Sequence, residues 1–303
     1  MSIRPVREER AAQPTYEGAG VHLHRAFGFH DPSELDPFLL FDDFRNEDPR
    51  DYLRGFPWHP HRGIETITYV LAGSVEHGDS LGNHGTLRGG DVQWMTAGSG
   101  ILHQEMPKGN AKGQMHGFQL WANLPADLKM TAPRYQDVKG KDIPEIMDDD
   151  GTIVKVIVGS FWGKTGPVDG IAADPQYLDI YVPPNRRKTF KVDTYRRAFA
   201  YIFDGKATFR DASRPHGVLL EKEVNGEEVN IRDLSGDRTL VKFGTGDEVT
   251  VTAGPDGIRF LLISGAPIQE PVAWHGPIVM NTQAEIRQAM ADLKNGTFIK
   301  PAH

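Results

Sequence analysis

GDVQWMTAGSGI, residues Gly90 to Ile101, is a glycine-bounded run that recurs later in the chain as GDEVTVTAGPDGI, residues Gly246 to Ile258. A second pair of runs precedes them in the same order, YVLAG at Tyr69 to Gly73 and YIFDG at Tyr201 to Gly205. These runs contain β-branched and aromatic residues and are bounded or interrupted by turn-forming glycines, which is typical of strands and the turns between them. Two matching blocks in one order indicate an internal duplication of one β-domain.

The composition agrees with a fold made of many short strands and turns. The chain has 303 residues, of which 39% are apolar, and it contains 33 glycines and 21 prolines. This size allows a large core, and the high turn content favours an all-β fold. The segment Pro125 to Gly151 is interrupted by prolines and glycines and looks like a connection. We therefore predict two domains, residues 1–140 and 141–303.

The end of the chain carries the one clear helix signal. Thr282 and Glu285 have the spacing of a capping box, and apolar residues recur at helical intervals from Ile286 to Leu293. Asn295 and Gly296 supply a stop signal. The sequence thus predicts a C-terminal α-helix that closes the second domain.

Charge and residue usage exclude several function classes. The formal net charge is -7, so no basic surface is expected to attract nucleic acid directly. The chain contains no cysteine, so any metal must be bound by nitrogen and oxygen ligands. No stretch approaches the roughly 20 apolar residues that a membrane span needs. We expect a cytoplasmic protein without a membrane partner.

Two short motifs carry candidate metal ligands. His59 and His61 begin the strand-like stretch HPHRGIETITYVLAG, and His103 and Glu105 follow a glycine- and serine-rich turn. Residues at positions i and i+2 of a strand point to the same face, so each pair can converge on one ion. Three imidazoles and one carboxylate suit iron(II), manganese, nickel, copper or zinc, and they leave positions open for substrate or dioxygen.

The sister half of the repeat lacks these side chains. When the glycines of the two halves are aligned, the four positions hold Lys191, Asp193, Phe260 and Leu262. Two histidines at the start of a strand can also be simple packing residues. Because all four positions differ together, we interpret the first half as carrying a metal site that the second half lacks.

Three motifs together carry a family resemblance. They are HPHRGIETITYVLAG at residues 59–73, GDVQWMTAGSGILHQEMP at residues 90–107, and APIQEPVAWHGPIVMNTQAEIRQA at residues 266–289. In combination they resemble the pirin family of the cupin superfamily. The resemblance implies a bicupin, with two β-sandwich (jelly-roll) barrels and iron(II) in the N-terminal barrel only. The ligands that it implies match His59, His61, His103 and Glu105.

A second glutamate competes for the carboxylate position. The general cupin motif uses the glutamate that follows the histidine pair, which is Glu65 here. Glu65 lies an even number of residues from His61, so strand alternation alone would let it face inward. The pirin resemblance favours Glu105 as the ligand and leaves Glu65 in a supporting or core position.

The resemblance also implies an activity. Members of the family are associated with quercetin 2,3-dioxygenase activity, in which dioxygen opens a flavonol ring and carbon monoxide is released. Glu105 could then act as a catalytic base as well as a ligand. The apolar residues near the motifs are candidates for contacts with a small aromatic substrate, and otherwise core residues: Phe56, Met95, Phe118 and Trp121.

Two other functions remain open from the sequence. The first is a non-enzymatic regulator whose iron site senses redox state and controls the binding of a protein partner. The second is a metal-dependent isomerase or decarboxylase of another cupin branch. For the neighbouring histidines, we expect exposed or turn-stabilising positions at His77 and His84, and a structural position at His116.

Overall fold

Strands dominate the computed structural model, which describes residues 2–29, 32–169, 172–209, 221–224, 227–230 and 234–300. Within these ranges, helical structure is confined to one α-helix and two short 3-10 segments, Pro49–Asp51 and Gly140–Asp142. No helix of the described ranges is long and apolar enough to cross a membrane. The prediction of an all-β fold is confirmed.

The strands of the first half are β1 (Val6–Ala11), β2 (Gln13–Glu17), β3 (Val21–Phe27), β4 (Phe38–Asp43), β5 (Phe56–His61), β6 (Ile64–Ala72), β7 (Ser74–Asp79), β8 (His84–Arg88), β9 (Val92–Thr96), β10 (Ile101–Lys108), β11 (His116–Asn123) and β12 (Arg134–Val138). The later elements are β13 (Glu145–Met147), β14 (Ile153–Val158), β15 (Ser160–Phe161), β16 (Lys164–Thr165), β17 (Gln176–Val182), β18 (Arg187–Lys191), β19 (Arg197–Phe209), β20 (Glu221–Val224), β21 (Glu227–Asn230), β22 (Thr239–Phe243), β23 (Glu248–Gly265), β24 (Ala273–His275), β25 (Ile278–Met280) and the helix α1 (Gln283–Asn295).

Six neighbouring positions of the two large sheets are filled by strands in the same chain order. One is β12-β9-β6-β11-β4-β3-β2, and the other is β1-β22-β19-β23-β17-β14-β13, with β18 paired to β23. A four-stranded sheet, β5-β10-β7-β8, accompanies the first of them. The repetition of six positions in one order agrees with the duplication of a β-domain inferred from the sequence. The seventh position differs, because β12 follows the other strands of its sheet in the chain whereas β1 precedes those of its own.

One of the two repeat blocks is out of register with this topology. YVLAG and YIFDG lie on β6 and β19, which occupy the same position in their sheets. GDVQWMT, in contrast, leads into β9, whose counterpart is β22, whereas GDEVTVT leads into β23. The predicted pairing of His103 with Phe260 is therefore wrong. In the second large sheet, β18 (RKTFK) and the segment of β23 that pairs with it (EVTVT) contain no histidine.

The chain divides into two compact units, each made of three segments, so a single boundary at residue 140 does not describe the division. The first unit comprises Ala12–Pro144, Ile157–Pro175 and Gly265–His303, and the second comprises Met1–Ala11, Glu145–Val156 and Gln176–Ser264. β1 pairs with β22 and so extends the sheet of the second unit. The C-terminal helix lies in the first unit, although we predicted it in the second domain. Its residue Asp292 forms a buried ion pair with Arg62 there.

The C-terminal helix has the predicted start and stop. Thr282 is its N-cap and accepts a hydrogen bond from the backbone of Glu285, whose side chain returns the contact in a capping box. Gly296 ends the helix in the left-handed conformation, with a φ of 71°. The prediction of a single C-terminal α-helix is confirmed for the described residues.

Candidate metal centre

Three histidines converge on adjacent strands of the four-stranded sheet. β5 and β10 run antiparallel with His59 opposite His103, and His61 lies two residues further along β5. Among the described residues, His59, His61 and His103 form one group whose ligand atoms all lie within 4.8 Å of one another. The strand pairing thus brings together the three histidines that the sequence singled out.

Backbone carbonyls fix the orientation of two of these rings. The Nδ1–H of His59 donates to the carbonyl of Pro57 at 2.8 Å, and that of His61 donates to the carbonyl of Pro277 at 3.2 Å. Because a carbonyl can only accept, Nδ1 of each ring carries a proton, and in the neutral form of a ring this is its only one. The Nε2 atoms are then two acceptors, and they face each other at 3.1 Å.

The cluster has the donor chemistry of a metal site. Both ring nitrogens of His103 are buried and have no hydrogen-bond partner among the described residues. Burial lowers the pKa of His61 and of His103 well below the usual range, which keeps both rings in the neutral, metal-binding form. Two nitrogens bound at 2.0–2.1 Å to one ion at right angles lie about 3 Å apart, close to the spacing observed here. The residues fit a transition-metal ion.

Glu105 lies on the same strand as His103 and lines the same cavity as His59. Its Oε1 atom accepts a hydrogen bond from Thr68 Oγ1 at 3.0 Å, and that hydroxyl also lies 2.8 Å from the amide oxygen of Gln119. Burial raises the pKa of Glu105, opposed by the neighbouring His59. A carboxyl group in this position can be a ligand and can hold a proton.

Glu65 faces a different environment. Its Oε1 atom accepts a hydrogen bond from Thr96 Oγ1 at 2.7 Å, and the side chain is not among those that line the cavity. Burial raises the pKa of Glu65 to about 7. Strand alternation does not continue from His61 to Glu65, because the chain passes from one sheet to another between them. Gly63 makes this turn with a φ of +77°, where a Cβ atom would lie 1.9 Å from the carbonyl of Val279.

A cavity of about 450 Å³ reaches His59 and His61 from the protein surface. Its lining includes Phe56 and Trp121, two of the four predicted substrate contacts. The Trp121 ring lies edge-on to the His61 ring, with centroids 5.1 Å apart. Trp58, which is 55% exposed, stands at the same opening. The space beside the cluster can therefore accept a flat aromatic molecule.

The other two predicted substrate contacts are core residues. Phe118 is fully buried and stacks on Phe41, with ring centroids 5.7 Å apart. Its strand neighbours Gln119 and Trp121 line the cavity, so alternation points Phe118 to the opposite face. Met95 is fully buried in a cluster of apolar residues. The prediction that Phe118 and Met95 contact substrate is corrected: neither lines the cavity.

The C-terminal segment holds the histidine strand in place, a role that the sequence reasoning did not predict. The buried guanidinium of Arg62 donates to Asp292 Oδ2 at 2.8 Å and to the carbonyl of Phe298 at 2.9 Å. The backbone N–H of Val279 donates to the carbonyl of Arg62 at 3.0 Å. The sequence signal for this role is the motif AWHGPIV at residues 273–279, which contributed above only to the family resemblance.

The remaining histidines near the motifs take structural positions. His84 is exposed and lies beside the carbonyl of Gly82, 3.3 Å away. His77 is buried rather than exposed, and its ring stacks on that of Tyr135 with centroids 6.0 Å apart. The expectation of exposure is wrong for His77, because β7 continues through it. His116 is half-buried at the start of β11.

Comparisons with known proteins agree with this fold. The family model described as Pirin matches residues 20–122, and the model described as Pirin C-terminal cupin domain matches residues 177–299. A pirin-like protein of Caulobacter vibrioides is 43% identical over 299 residues, which cover 98% of this chain and 100% of that protein. A solved quercetin 2,3-dioxygenase from Acinetobacter baumannii has a TM-score of 0.83 at 29% identity, covering 98% of this chain and 99% of that chain. The predicted bicupin fold is confirmed.

Proposed function

The chain belongs to the pirin family, and we propose that it is an iron(II)-dependent dioxygenase that opens flavonols such as quercetin. The likeness to the Acinetobacter baumannii quercetin 2,3-dioxygenase supports this proposal over nearly the whole chain. One observation in the structure carries it furthest. Three clustered histidines lie beside a cavity whose walls carry aromatic side chains and the Glu105 carboxylate, so a metal and a flat substrate could be held side by side.

The proposed ligands are His59, His61, His103 and Glu105. The facing Nε2 atoms of His59 and His61, and the buried ring of His103 without a hydrogen-bond partner, support the three histidines. The cavity-facing carboxylate supports Glu105 over Glu65. Bound iron(II) would supply open coordination positions and a second oxidation state, which dioxygen chemistry requires.

Glu105 is also the proposed acceptor of the substrate's hydroxyl proton. Thr68 donates to one of its carboxylate oxygens and holds the group in a fixed orientation. Burial raises the pKa of Glu105, which makes it a stronger base than an exposed glutamate. A carboxylate at the wall of the cavity meets the distance requirement for general-base catalysis.

The walls would orient the substrate. Trp121 packs against His61, and Phe56 lies at the same cavity, so a flat ring could slide between apolar surfaces next to the ligands. Aromatic surfaces of this kind bind rings by stacking and exclude water from them. Exclusion of water would favour reaction with dioxygen over side reactions.

The test is aerobic turnover of quercetin by protein reconstituted with iron(II) under anaerobic conditions. Loss of the flavonol absorbance, uptake of dioxygen and release of carbon monoxide are measured together. Parallel samples contain manganese, nickel, copper or zinc, because the same donor set suits these ions. We expect iron-dependent turnover with one carbon monoxide released per quercetin consumed.

Matched histidine variants serve as controls. His61→Ala removes a proposed ligand, whereas His84→Ala removes an exposed histidine of the same barrel. We expect His61→Ala to abolish turnover and His84→Ala to retain it. Equal turnover in the two variants, or no turnover at full iron occupancy, would contradict the proposed function.

A further inference from the structure

A row of polar side chains crosses the cavity wall on neighbouring strands. The strand registers place Arg25 on β3 opposite Asp42 on β4, Asp42 opposite Gln119 on β11, and Gln119 opposite Thr68 on β6. All four side chains line the cavity. Thr68 reaches Glu105 at the end beside the histidines, so the row connects the proposed metal centre to a distal polar end.

Each nitrogen of the cation in this row already donates to a carboxylate. Arg25 donates from Nε and Nη2 to the two oxygens of Asp42, at 2.8 and 2.7 Å, and from Nη1 to Glu17 at 2.8 Å. One guanidinium therefore faces two carboxylates, and the distal end carries a net charge of about -1. A site built for an anionic ligand would leave an arginine fork free, whereas here both carboxylates occupy it.

The carboxylate oxygens at this end, which line the cavity, remain available to a ligand as hydrogen-bond acceptors. Each carboxylate oxygen of Asp42 and Glu17 has more than one lone pair, so it can accept from a ligand as well as from Arg25. Gln119 adds an amide group beside Asp42. A hydroxyl group would donate to the lone pairs that Arg25 leaves unused, whereas an apolar group would leave those lone pairs without a partner.

The spacing along the row sets the length of the ligand. Asp42 stands two strands away from Thr68, and neighbouring strands lie 4.7–4.9 Å apart, so the two positions are separated by about 10 Å. Apolar side chains such as Leu23 and Leu40 line the cavity along the same strands. A molecule with an aromatic body and hydroxyl groups at both ends matches this arrangement.

We propose that Asp42, Glu17 and Gln119 form a distal subsite that selects substrates by hydroxyl groups remote from the metal centre and rejects substrates with a carboxylate there. The proposal rests on the proposed function, since it assumes that the substrate's reacting end lies beside Glu105. The substrate class is then a neutral polyhydroxylated aromatic compound. The three residues are specificity determinants and take no part in the reaction itself.

The test measures binding rather than turnover. Anaerobic titrations at pH 7.5 compare quercetin with 3-hydroxyflavone, which lacks all hydroxyls except the one at position 3, and with 4'-carboxy-3-hydroxyflavone. Both iron(II)-loaded and metal-free protein are used, because the distal subsite contains no metal ligand. We expect quercetin to bind about tenfold more tightly than 3-hydroxyflavone, and the carboxylated compound to bind most weakly.

Variants assign this preference to the subsite. Glu17→Gln removes one negative charge at a half-buried position, and Gln119→Leu removes the amide. Glu76→Gln is the matched control, because Glu76 is an exposed glutamate of the same barrel that pairs with Lys108. We expect both subsite variants to reduce the preference for quercetin to threefold or less, and Glu17→Gln to strengthen binding of the carboxylated compound. The Glu76→Gln variant should match the wild type.

The outcomes separate this proposal from the one on which it rests. If wild-type protein binds quercetin and 3-hydroxyflavone equally, or if both subsite variants keep the full preference, the subsite is refuted and the dioxygenase proposal stands. If iron-loaded protein binds neither flavonol, both proposals are refuted. Circular dichroism of each variant checks that its fold is intact.

Discussion

The Nδ1–H of His61 donates to the carbonyl of Pro277 at 3.2 Å, although 216 residues separate the two in the chain. This contact leaves Nε2 of His61 free for a ligand bond. The segment that carries Pro277 is held against the histidine strand by the buried ion pair between Arg62 and Asp292. The C-terminal segment is therefore part of the candidate metal centre.

Loss of this ion pair should weaken both the fold and metal binding. Asp292→Ala leaves the guanidinium of Arg62 buried without its carboxylate, which typically costs about 3–5 kcal/mol. Urea unfolding measures the stability, and competition with a chelator measures the iron affinity. We expect both to fall, with the affinity reduced about tenfold or more. The exposed pair of Glu76 and Lys108 provides the control, and Glu76→Ala should change neither quantity measurably.

Metal content should depend on His103 and be independent of His84. His103 has no hydrogen-bond partner for either ring nitrogen among the described residues, so its removal breaks no hydrogen bond of the protein. We expect His103→Ala to lower iron from about one ion per chain to a small fraction after dialysis, measured by elemental analysis. His84→Ala should keep the wild-type content. Full iron in the His103→Ala protein would exclude this histidine as a ligand.

The pH dependence of stability should carry a contribution from Glu65. Its folded-state pKa is about 7, whereas the ordinary value is 4.5, so between these pH values the folded protein binds more protons than the unfolded chain. The contribution of Glu65 to the free energy of unfolding is then fully present below about pH 4.5. It falls by roughly 3 kcal/mol as the pH rises to 7. Glu65→Gln should remove this loss, so the stability of the variant relative to the wild type should increase as the pH rises. Parallel stability curves from pH 4.5 to 8 would contradict the assignment.

The two buried glutamates should differ in their effect on turnover. Glu105→Gln removes the proposed proton acceptor, and we expect kcat for quercetin to fall by about 100-fold or more. Glu65→Gln changes a glutamate that hydrogen-bonds Thr96 outside the cavity, and kcat should stay within about threefold of the wild type. The ratio of the two kcat values decides the assignment, and a larger loss in the Glu65→Gln protein would reverse it.

Local sequence patterns were sufficient to predict several features of the structure. The i, i+2 spacing of His59 and His61 predicts a shared strand face, and the structure places both on β5. The capping box of Thr282 and Glu285 predicts the helix start, because all its hydrogen bonds lie within four residues. Such features depend on neighbours in the chain, so the sequence shows them directly.

Features that depend on sheet topology could not be predicted in this way. Alternation from His61 to Glu65 assumes one continuous strand, but the chain changes sheets at Gly63. The residue pairing predicted from the second repeat block was wrong for a similar reason. The two similar sequences lie on β9 and β23, which occupy different positions in their sheets. The sequence also does not show which face of β11 lines the cavity. In the structure this face carries Gln119 and Trp121, and Phe118 lies on the opposite one.

Contacts between distant segments of the chain also could not be predicted from the sequence. The bond from His61 to Pro277 uses a backbone carbonyl, which leaves no residue-specific signal. The buried pair of Arg62 and Asp292 consists of two common charged residues, and neither stands out from its neighbours in the sequence. For the same reason the predicted boundary at residue 140 did not anticipate that the C-terminal helix lies in the first unit.

The most direct test of the central claim is a crystal structure of the iron-loaded protein with anomalous data collected on both sides of the iron absorption edge. We predict one iron peak per chain, bound by Nε2 of His59 and His61, a ring nitrogen of His103 and the carboxylate of Glu105. An iron peak elsewhere, or an ion bound by Glu65 in place of Glu105, would contradict the account.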